Sequence, residues 1–295
     1  MTADLSARPP SLLPSLARVR PAGDGPLLAL TVADQAVGKV TPQAAALLRK
    51  AGPLFAFGAA GIEMARGLLT PEDRTDAVSS SLRRLAADGD LPAPRYERYP
   101  VVTRWGTAEL MRIDRSYVGL LGTLAFGLHI NGYVPTPAGP EMWIGRRADD
   151  RMVEPGKFDN LVGGGQPAGL SLAANLVKEA AEEAGIDAAT AARARPAGLI
   201  AYEAPHPLGL RRDVLFTFDL ELADDFRPVN TDGEVAEFTR HPVADVLDRL
   251  RRDPDAFKFN VPAVIIDFCL RHGVLDPDSE PDYAELATTL RQPLD

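Results

Sequence analysis

The sequence predicts an α/β protein in which a small α/β unit precedes a larger one. Short apolar runs typical of strands alternate with amphipathic segments at helical spacing along the 295 residues. The first 25 residues are rich in Pro, Ser and Ala, and residues 276–295 are acidic and contain proline. We therefore predict a flexible start (1–25), an accessory domain (26–112), a main domain (113–275) and an acidic tail (276–295).

The composition limits the class of function. The formal net charge is −9, which disfavours general binding to nucleic acid or to anionic membranes, because both need a basic surface. No apolar run approaches the ~18 residues of a membrane span. Cys269 is the only cysteine, so the chain has neither an intrachain disulfide nor a cysteine-based zinc site. We expect a cytoplasmic protein without a signal peptide.

The accessory domain is predicted from alternating strand and helix signals. Thr41-Pro42 and Thr70-Pro71 each place a capping side chain before a proline at the first helical position. The two helices should reach about Lys50 and Ala87. We see no catalytic motif here and expect structural support, with a regulatory, dimerising or substrate-lid role as alternatives. The predicted strands are Leu27–Val32, Val37–Val40, Leu54–Phe57, Gly61–Met64 and Tyr96–Val102.

The main domain opens with a predicted short helix, Ile113–Leu121. Two strands follow, 125–134 and 140–147, and the Pro137-Ala138-Gly139 turn joins them. Pro242–Leu250 is amphipathic and Pro262–Arg271 largely apolar, so both predict helices. Further strands are predicted at 197–203, 214–222 and 234–240.

A glycine-rich loop leads into a helix at residues 163–186. Ser171 suits the N-cap of this helix, and Gly185 suits the left-handed residue after its last turn. Leu172, Leu176 and Ala180 are spaced by four and predict one apolar stripe.

Three carboxylates occupy one face of this helix. Glu179, Glu182 and Glu183 are spaced i, i+3, i+4, close to the negative end of the helix dipole. Like charges in that position are unfavourable, and a solvated acidic helix end is the plain alternative. A divalent cation would supply the missing positive charge, and Mg²⁺ prefers oxygen ligands of this kind.

This spacing resembles the Nudix box, G-x5-E-x7-R-E-U-x-E-E-x-G-U, where U is aliphatic. Gly164 fills the first glycine position, and the three glutamates fill the distal positions. Leu170 stands in the first glutamate position and Lys178 in the arginine position. The resemblance implies an α/β/α sandwich with a mixed sheet over about Ile113–His272 and hydrolysis of a phosphoanhydride with Mg²⁺ or Mn²⁺. The implied metal ligands are Glu179, Glu182, Glu183 and the Gly164 carbonyl.

Other short motifs resemble one branch of that family, which in fungi is fused to thiamine pyrophosphokinase. That resemblance implies hydrolysis of thiamine diphosphate, or of its oxidised analogues, to the monophosphate. The general base would be Glu182 or Glu234. Arg146, Arg147 and Lys258 could grip the diphosphate, with His129 and Asn131 beside the organic group. The motifs are G-x-H-x-N-G at 127–132, W-I-x-R-R at 143–147, P-G-K-F-D-N at 155–160, D-G-E-V at 232–235 and K-x-N at 258–260.

Several alternatives stay open from the sequence. The substrate could be ADP-ribose or another nucleoside diphosphate derivative. A ligand sensor without catalysis would use the same fold, although the intact glutamates argue against it. Isopentenyl diphosphate isomerisation would need a reactive cysteine, and Cys269 lies far from the box. We expect a small-molecule diphosphate as partner, with no nucleic acid and no membrane, and a homodimer as an open alternative.

Overall fold

The accessory unit is built on a four-stranded sheet. The computed structural model describes residues 9–19, 25–291 and 294. The elements are β1 (Leu28–Val32), β2 (Gln35–Val40), α1 (Pro42–Arg49), β3 (Phe55–Gly58), β4 (Gly61–Met64), α2 (Pro71–Ala87), β5 (Arg98–Val101) and β6 (Met111–Asp114). The strands of the four-stranded sheet follow the order β2-β1-β4-β3, and a two-stranded sheet, β5-β6, completes the unit.

Both helices of this unit begin where the sequence predicts. The Thr41 hydroxyl accepts a hydrogen bond from the backbone N–H of Ala44 (3.2 Å). Thr70 and Asp73 exchange side chain–backbone bonds of 3.1 Å in each direction, which is a capping box. The predicted strand pattern of this unit is confirmed to within two residues at most ends.

The main domain is organised around a mixed seven-stranded sheet. The elements are α3 (Val118–Leu121), β7 (Leu124–Val134), β8 (Glu141–Arg147), β9 (Phe158–Asp159), β10 (Val162–Gly165), α4 (Leu172–Ala184), α5 (Ala188–Ala191), β11 (Arg195–His206), β12 (Gly209–Glu221), β13 (Val235–Pro242), α6 (Val243–Arg252), α7 (Val261–Arg271) and α8 (Tyr283–Thr289). The strands of the sheet follow the order β11-β12-β7-β8-β13, while β10 pairs with β7 and β9 pairs with β8. Strands β7 and β12 are parallel, and the other pairs of this sheet are antiparallel.

Helices cover both faces of this sheet. On one face, Leu176 and Ala180 of α4 pack against Leu128 and Ile130 of β7. On the other face, the apolar sides of α6 and α7 pack against residues of β8, β11 and β12. The predicted α/β/α sandwich with a mixed sheet is therefore confirmed. Within the described ranges, no helix is long and apolar enough to cross a membrane.

Residues 9–19 and 276–291 contain more regular structure than their composition predicts. A 3₁₀ helix, Leu13–Val19, packs with Leu12 and Leu16 against the core beneath α6 and α7, where both leucines are fully buried. The prediction of a flexible start is therefore wrong for residues 9–19, because it weighed proline content over the spacing of the leucines. The predicted tail contains α8, with Leu286 buried. Residues 1–8 and 20–24 lie outside the described part.

The predicted helix at 113–121 is only partly correct. Residues 111–114 form β6, and a short 3₁₀ helix, Arg115–Tyr117, precedes α3. The apolar core of the accessory unit also extends to Leu121 and Ala125, beyond the predicted boundary at residue 112.

A chain of buried polar side chains crosses the sheet of the main domain. The Nδ1 atom of His129 lies 2.8 Å from Oδ1 of Asn160, whose Nδ2 donates to Asn131 (3.0 Å). Asn131 in turn donates to Asp219 (3.1 Å), which also binds Arg271 of α7. Since Asn160 Oδ1 is an acceptor here, His129 donates from Nδ1. This network holds strand β7 to the loop before β10.

We predict that His129 makes stability fall in mild acid. Burial lowers the pKa of His129 from 6.5 to about 4. The unfolded chain therefore binds more protons between those values, and roughly 3 kcal/mol of stability is lost as the pH falls from about 6.5 to 4. Urea unfolding of wild type and His129→Asn across this range should show the steeper loss in wild type. The half-buried His241→Asn is the control and should follow wild type, and equal slopes for all three proteins would contradict the prediction.

Candidate active site

The three glycines of β10 let three elements approach one another. The Gly163 N–H donates to Glu183 Oε2 on α4 (2.9 Å). A Cβ atom at Gly164 would lie 2.4 Å from Glu179 Cδ, and one at Gly165 would lie 1.6 Å from the Tyr99 hydroxyl of β5. Side chains at these positions would push α4 and the accessory unit away from the sheet.

Both termini of helix α4 lie where the sequence predicts. Ser171 accepts a hydrogen bond from the N–H of Ala174 (3.2 Å), and Gly185 adopts the left-handed conformation with φ of 63°. The Ile186 N–H then closes a bond to the Ala180 carbonyl (3.0 Å). These two caps set the length of the helix and therefore the positions of the glutamates in its last two turns.

A cavity of about 650 Å³ lies where β10, α4 and the accessory unit meet. Its wall contains all three glutamates of the box, together with Gly164 and Glu234. The sequence-predicted metal ligands and both candidate bases therefore share one cavity.

Glu183 is buried and Glu179 is half-buried, and neither carboxylate has full charge compensation. Burial raises the pKa of Glu183 well above its usual value, although the Gly163 N–H opposes the shift. Burial also raises the pKa of Glu179, against the effect of Lys178. The Lys178 ammonium bonds Glu182 Oε2 (2.6 Å) and Glu179 Oε1 (3.1 Å). Lys178 is thus the local counter-charge to the box.

The donor chemistry of this wall fits a hard divalent cation. In the described part of the chain, no three acidic, His or Cys side chains already surround a point that could hold a metal ion. Glu179 and Glu183 nevertheless present carboxylate oxygens to the same cavity, where their charge is incompletely compensated. Mg²⁺ or Mn²⁺ would bring the positive charge that this pair lacks.

The two candidate bases each have a cationic neighbour. Glu234 Oε2 pairs with Arg151 (2.7 Å), and Glu182 pairs with Lys178 (2.6 Å). Both carboxylates are partly exposed, at 36% and 46% of the side chain. Water therefore reaches both carboxylates.

The three predicted diphosphate-binding cations occupy different places. Arg147 and Lys258 line the cavity and both bond Asp159, at 3.0 and 2.9 Å. Arg146 is not part of the cavity wall; its guanidinium pairs with Asp149 (2.8 Å) and Glu237 (3.2 Å). Since successive strand residues point to opposite sides, Arg146 and Arg147 could not both face the substrate. The geometry favours Arg147 and disfavours Arg146.

The two residues predicted beside the organic group also differ. His129 lines the cavity, with its ring against Gly163. Asn131 is completely buried and uses its amide group within the polar network that crosses the sheet. A direct contact between Asn131 and a ligand is therefore disfavoured, and its position suits support of His129 through Asn160.

The accessory unit supplies part of the cavity wall, which sequence reasoning missed. Glu97, Tyr99 and Arg115 come from the accessory unit and from the residues just after it, and Arg115 pairs with Glu97 (2.6 Å). Burial raises the pKa of Tyr99 to about 12. These residues lie 49 to 67 positions before Gly164 and form no motif with the box, so no sequence signal could have found them.

Arg95 is a further cation from this unit. It lines the cavity, and its guanidinium has no ion-pair partner among the described residues. Partial desolvation and the neighbouring Arg115 and Arg151 lower the pKa of this largely exposed guanidinium. Arg115 and Arg151 are paired with Glu97 and Glu234, whereas Arg95 keeps its charge available to bind an anion.

Cys269 does not belong to the site. It is fully buried in α7, and burial raises the pKa of its thiol. It is not part of the cavity wall, so the isomerase alternative lacks the cysteine that it requires.

Comparison with known proteins agrees with the geometry. Residues 18–125 match the family described as Domain of unknown function (DUF4743), which covers the accessory unit. The chain is 38% identical over 269 residues to Nudix hydrolase 24, chloroplastic, of Arabidopsis thaliana, covering 90% of this chain and 73% of the relative.

A second Arabidopsis thaliana relative is Nudix hydrolase 20, chloroplastic, which is 37% identical over 276 residues, covering 90% of this chain and 73% of the relative. Among solved structures, the MutT protein from Methanosarcina mazei Go1 is 17% identical over 45% of this chain and 93% of that one, with a TM-score of 0.34. From its identity to the two Arabidopsis proteins over most of their length, the chain belongs to the Nudix hydrolase family.

Proposed function

We propose that this hydrolase cleaves the phosphoanhydride of thiamine diphosphate, or of its oxidised analogues, to the monophosphate with the help of a divalent metal ion. The observation that carries the proposal is the single cavity shared by the box glutamates, by Arg147 and Lys258, and by His129. These residues come from the box and from the motifs that resemble the thiamine-linked branch.

The charges of the cavity suit a diphosphate between two walls. On one wall, Glu179, Glu182 and Glu183 would hold Mg²⁺ or Mn²⁺, which polarises a phosphoanhydride oxygen when bound. On another, Arg95 and its neighbouring cations would bind phosphate oxygens. Glu182 or Glu234 would take the proton from the attacking water, because both carboxylates are open to solvent.

Local charge balance favours a neutral organic group. Arg211 pairs with Asp213 (2.6 Å), and Lys258 pairs with Asp159 (2.9 Å). Because each of these aspartates already has a cation, neither is free to compensate a buried thiazolium. An oxidised, neutral thiazole avoids that desolvation cost.

The substrate is tested by steady-state kinetics on thiamine diphosphate, its thiazole-oxidised analogue and ADP-ribose. We expect the oxidised analogue to have the highest kcat/KM, because its head group is neutral. ADP-ribose should be the slowest of the three. Faster turnover of ADP-ribose than of both thiamine compounds would reject the substrate proposal and leave the family assignment unchanged.

We predict that activity requires added Mg²⁺ or Mn²⁺ and that Glu183→Gln abolishes it nearly completely. The amide keeps an oxygen for the Gly163 N–H, so the fold should survive, but it loses the charge that would hold the cation. A loss of about 100-fold or more in kcat/KM without a fall in the unfolding temperature is expected. Glu72→Gln on the exposed start of α2 is the control. Full turnover by a folded Glu183→Gln protein would contradict the metal assignment.

We predict that Arg95→Ala raises KM by about tenfold with little change in kcat. An exposed charge that binds the phosphates equally before and during reaction contributes uniform binding. Arg98→Ala provides the control, because Arg98 lies three residues along the chain, is also exposed, and is not part of this cavity. Unchanged KM in Arg95→Ala would show that the accessory unit only supports the cavity wall.

A further inference from the structure

A second cluster of polar side chains lies in the cavity wall. The Tyr202 hydroxyl donates to Asp213 Oδ2 (2.7 Å), and Asn260 Nδ2 donates to the Tyr202 hydroxyl (3.2 Å). Tyr202, Asp213 and Asn260 are only 3%, 6% and 5% exposed, respectively. Asp213 and Asn260 both line the cavity, whereas Tyr202 lies behind them. One hydroxyl therefore holds two side chains of the wall in fixed orientations.

Each of these two side chains leaves one oxygen without a partner. Asp213 Oδ1 and Asn260 Oδ1 are buried and accept no hydrogen bond from any described residue. Arg211 does not relieve this, because its Nε pairs with Asp213 Oδ2, the oxygen already used by Tyr202. Leaving buried acceptors unpaired costs stability, and native proteins keep few of them. A ligand that donates to both oxygens would recover that cost.

Two unpaired acceptors in the wall of one cavity select a particular kind of donor. An amino group on an aromatic ring has two N–H donors, and its lone pair is delocalised into the ring. A carbonyl oxygen would instead be repelled by both acceptors. The wall also includes the apolar side chains of Leu215 and Phe259, which suit a planar ring.

We propose that Asp213 and Asn260 form a specificity site for an amino-substituted nitrogen heterocycle at the organic end of the substrate. The inference rests on the proposed function for the position of the diphosphate. The aminopyrimidine of thiamine carries such a group, and so does the adenine of ADP-ribose. Both substrates share this chemistry, and the test below separates them.

The test is Asp213→Asn, measured on two matched pairs of substrates. One pair is thiamine diphosphate and its analogue with a carbonyl in place of the pyrimidine amino group. The other is ADP-ribose and inosine diphosphate ribose, which differ in the same way. The amide oxygen that this substitution introduces should stay with the donors Tyr202 and Arg211, so the new NH₂ group replaces the free acceptor.

Wild type should prefer the amino member of the hydrolysed pair by about 10- to 100-fold in kcat/KM. Asp213→Asn should lower that ratio at least tenfold, because a donor now faces the amino group and suits the carbonyl. The control is Asp150→Asn, which makes the same change of charge at an exposed position of the same cavity. It should leave the ratio unchanged.

Asn260→Ala is the second variant, in case Asp213→Asn does not fold. It removes the other acceptor and should lower the kcat/KM of the amino member more than that of the carbonyl member. Equal changes for both members in a folded variant, or a wild type without the amino preference, would overturn the inference.

The outcomes separate this inference from the proposed function. Hydrolysis of the ADP-ribose pair alone rejects thiamine diphosphate as substrate, and the amino preference is then tested in that pair. If neither pair is hydrolysed, the proposed function fails. Calorimetric binding of thiamine diphosphate and its carbonyl analogue then decides: tighter binding of the amino compound, lost in Asp213→Asn, supports the site, and equal or absent binding overturns it.

Discussion

The active-site architecture depends on a strand that contains three consecutive glycines. Strand β10 is Val162 followed by three glycines, and it lies between β7, the box helix and β5 of the accessory unit. Because no Cβ atom intervenes, a glutamate of α4 reaches the backbone on one side while Tyr99 reaches it on the other. The close approach brings two regions with separate cores to a common cavity. Any residue larger than glycine at position 165 would overlap the Tyr99 hydroxyl.

This contact gives the accessory unit a role in shaping the substrate site. Its core is separate from the cores on the two faces of the main sheet. Its polar residues nevertheless contribute Arg95, Glu97 and Tyr99 to the cavity. A Nudix domain alone would leave that side of the cavity open. The division suits a site in which one unit holds the carboxylates proposed to bind the metal ion and the other supplies Arg95.

The cavity keeps acidic and basic groups in a balance that a substrate and a metal ion would change. Lys178 bonds Glu179 and Glu182, and Arg151 bonds Glu234. Glu183 has a backbone donor but no ion-pair partner among the described residues, and its burial raises its pKa. A buried carboxylate of this kind is unfavourable for folding and useful for binding a cation. The position of Lys178 in the arginine slot of the box fits this account, because its ammonium binds the box carboxylates themselves.

The sequence by itself determined the local elements and the acidic face of the box helix. Caps at Thr41, Thr70 and Ser171, and the left-handed Gly185, are set by interactions within a few residues. The i, i+3, i+4 spacing likewise placed the three glutamates on one helix face. Such features follow from local backbone geometry, which the type and spacing of neighbouring residues predict directly.

Only the tertiary structure decided which distant residues share the cavity. Arg146 and Arg147 are adjacent and chemically alike, but their side chains point to opposite sides of the strand. Arg147 lines the cavity, whereas Arg146 pairs with Glu237 of β13. Leu12 is buried because it packs against apolar residues of α6 and α7. The proline content near the terminus gives no indication of this packing. The unpaired oxygens of Asp213 and Asn260 exist because Tyr202, on a neighbouring strand, uses the other polar atom of each. Contacts between residues so far apart in the sequence produce no periodic pattern of residue types, so only the tertiary structure shows them.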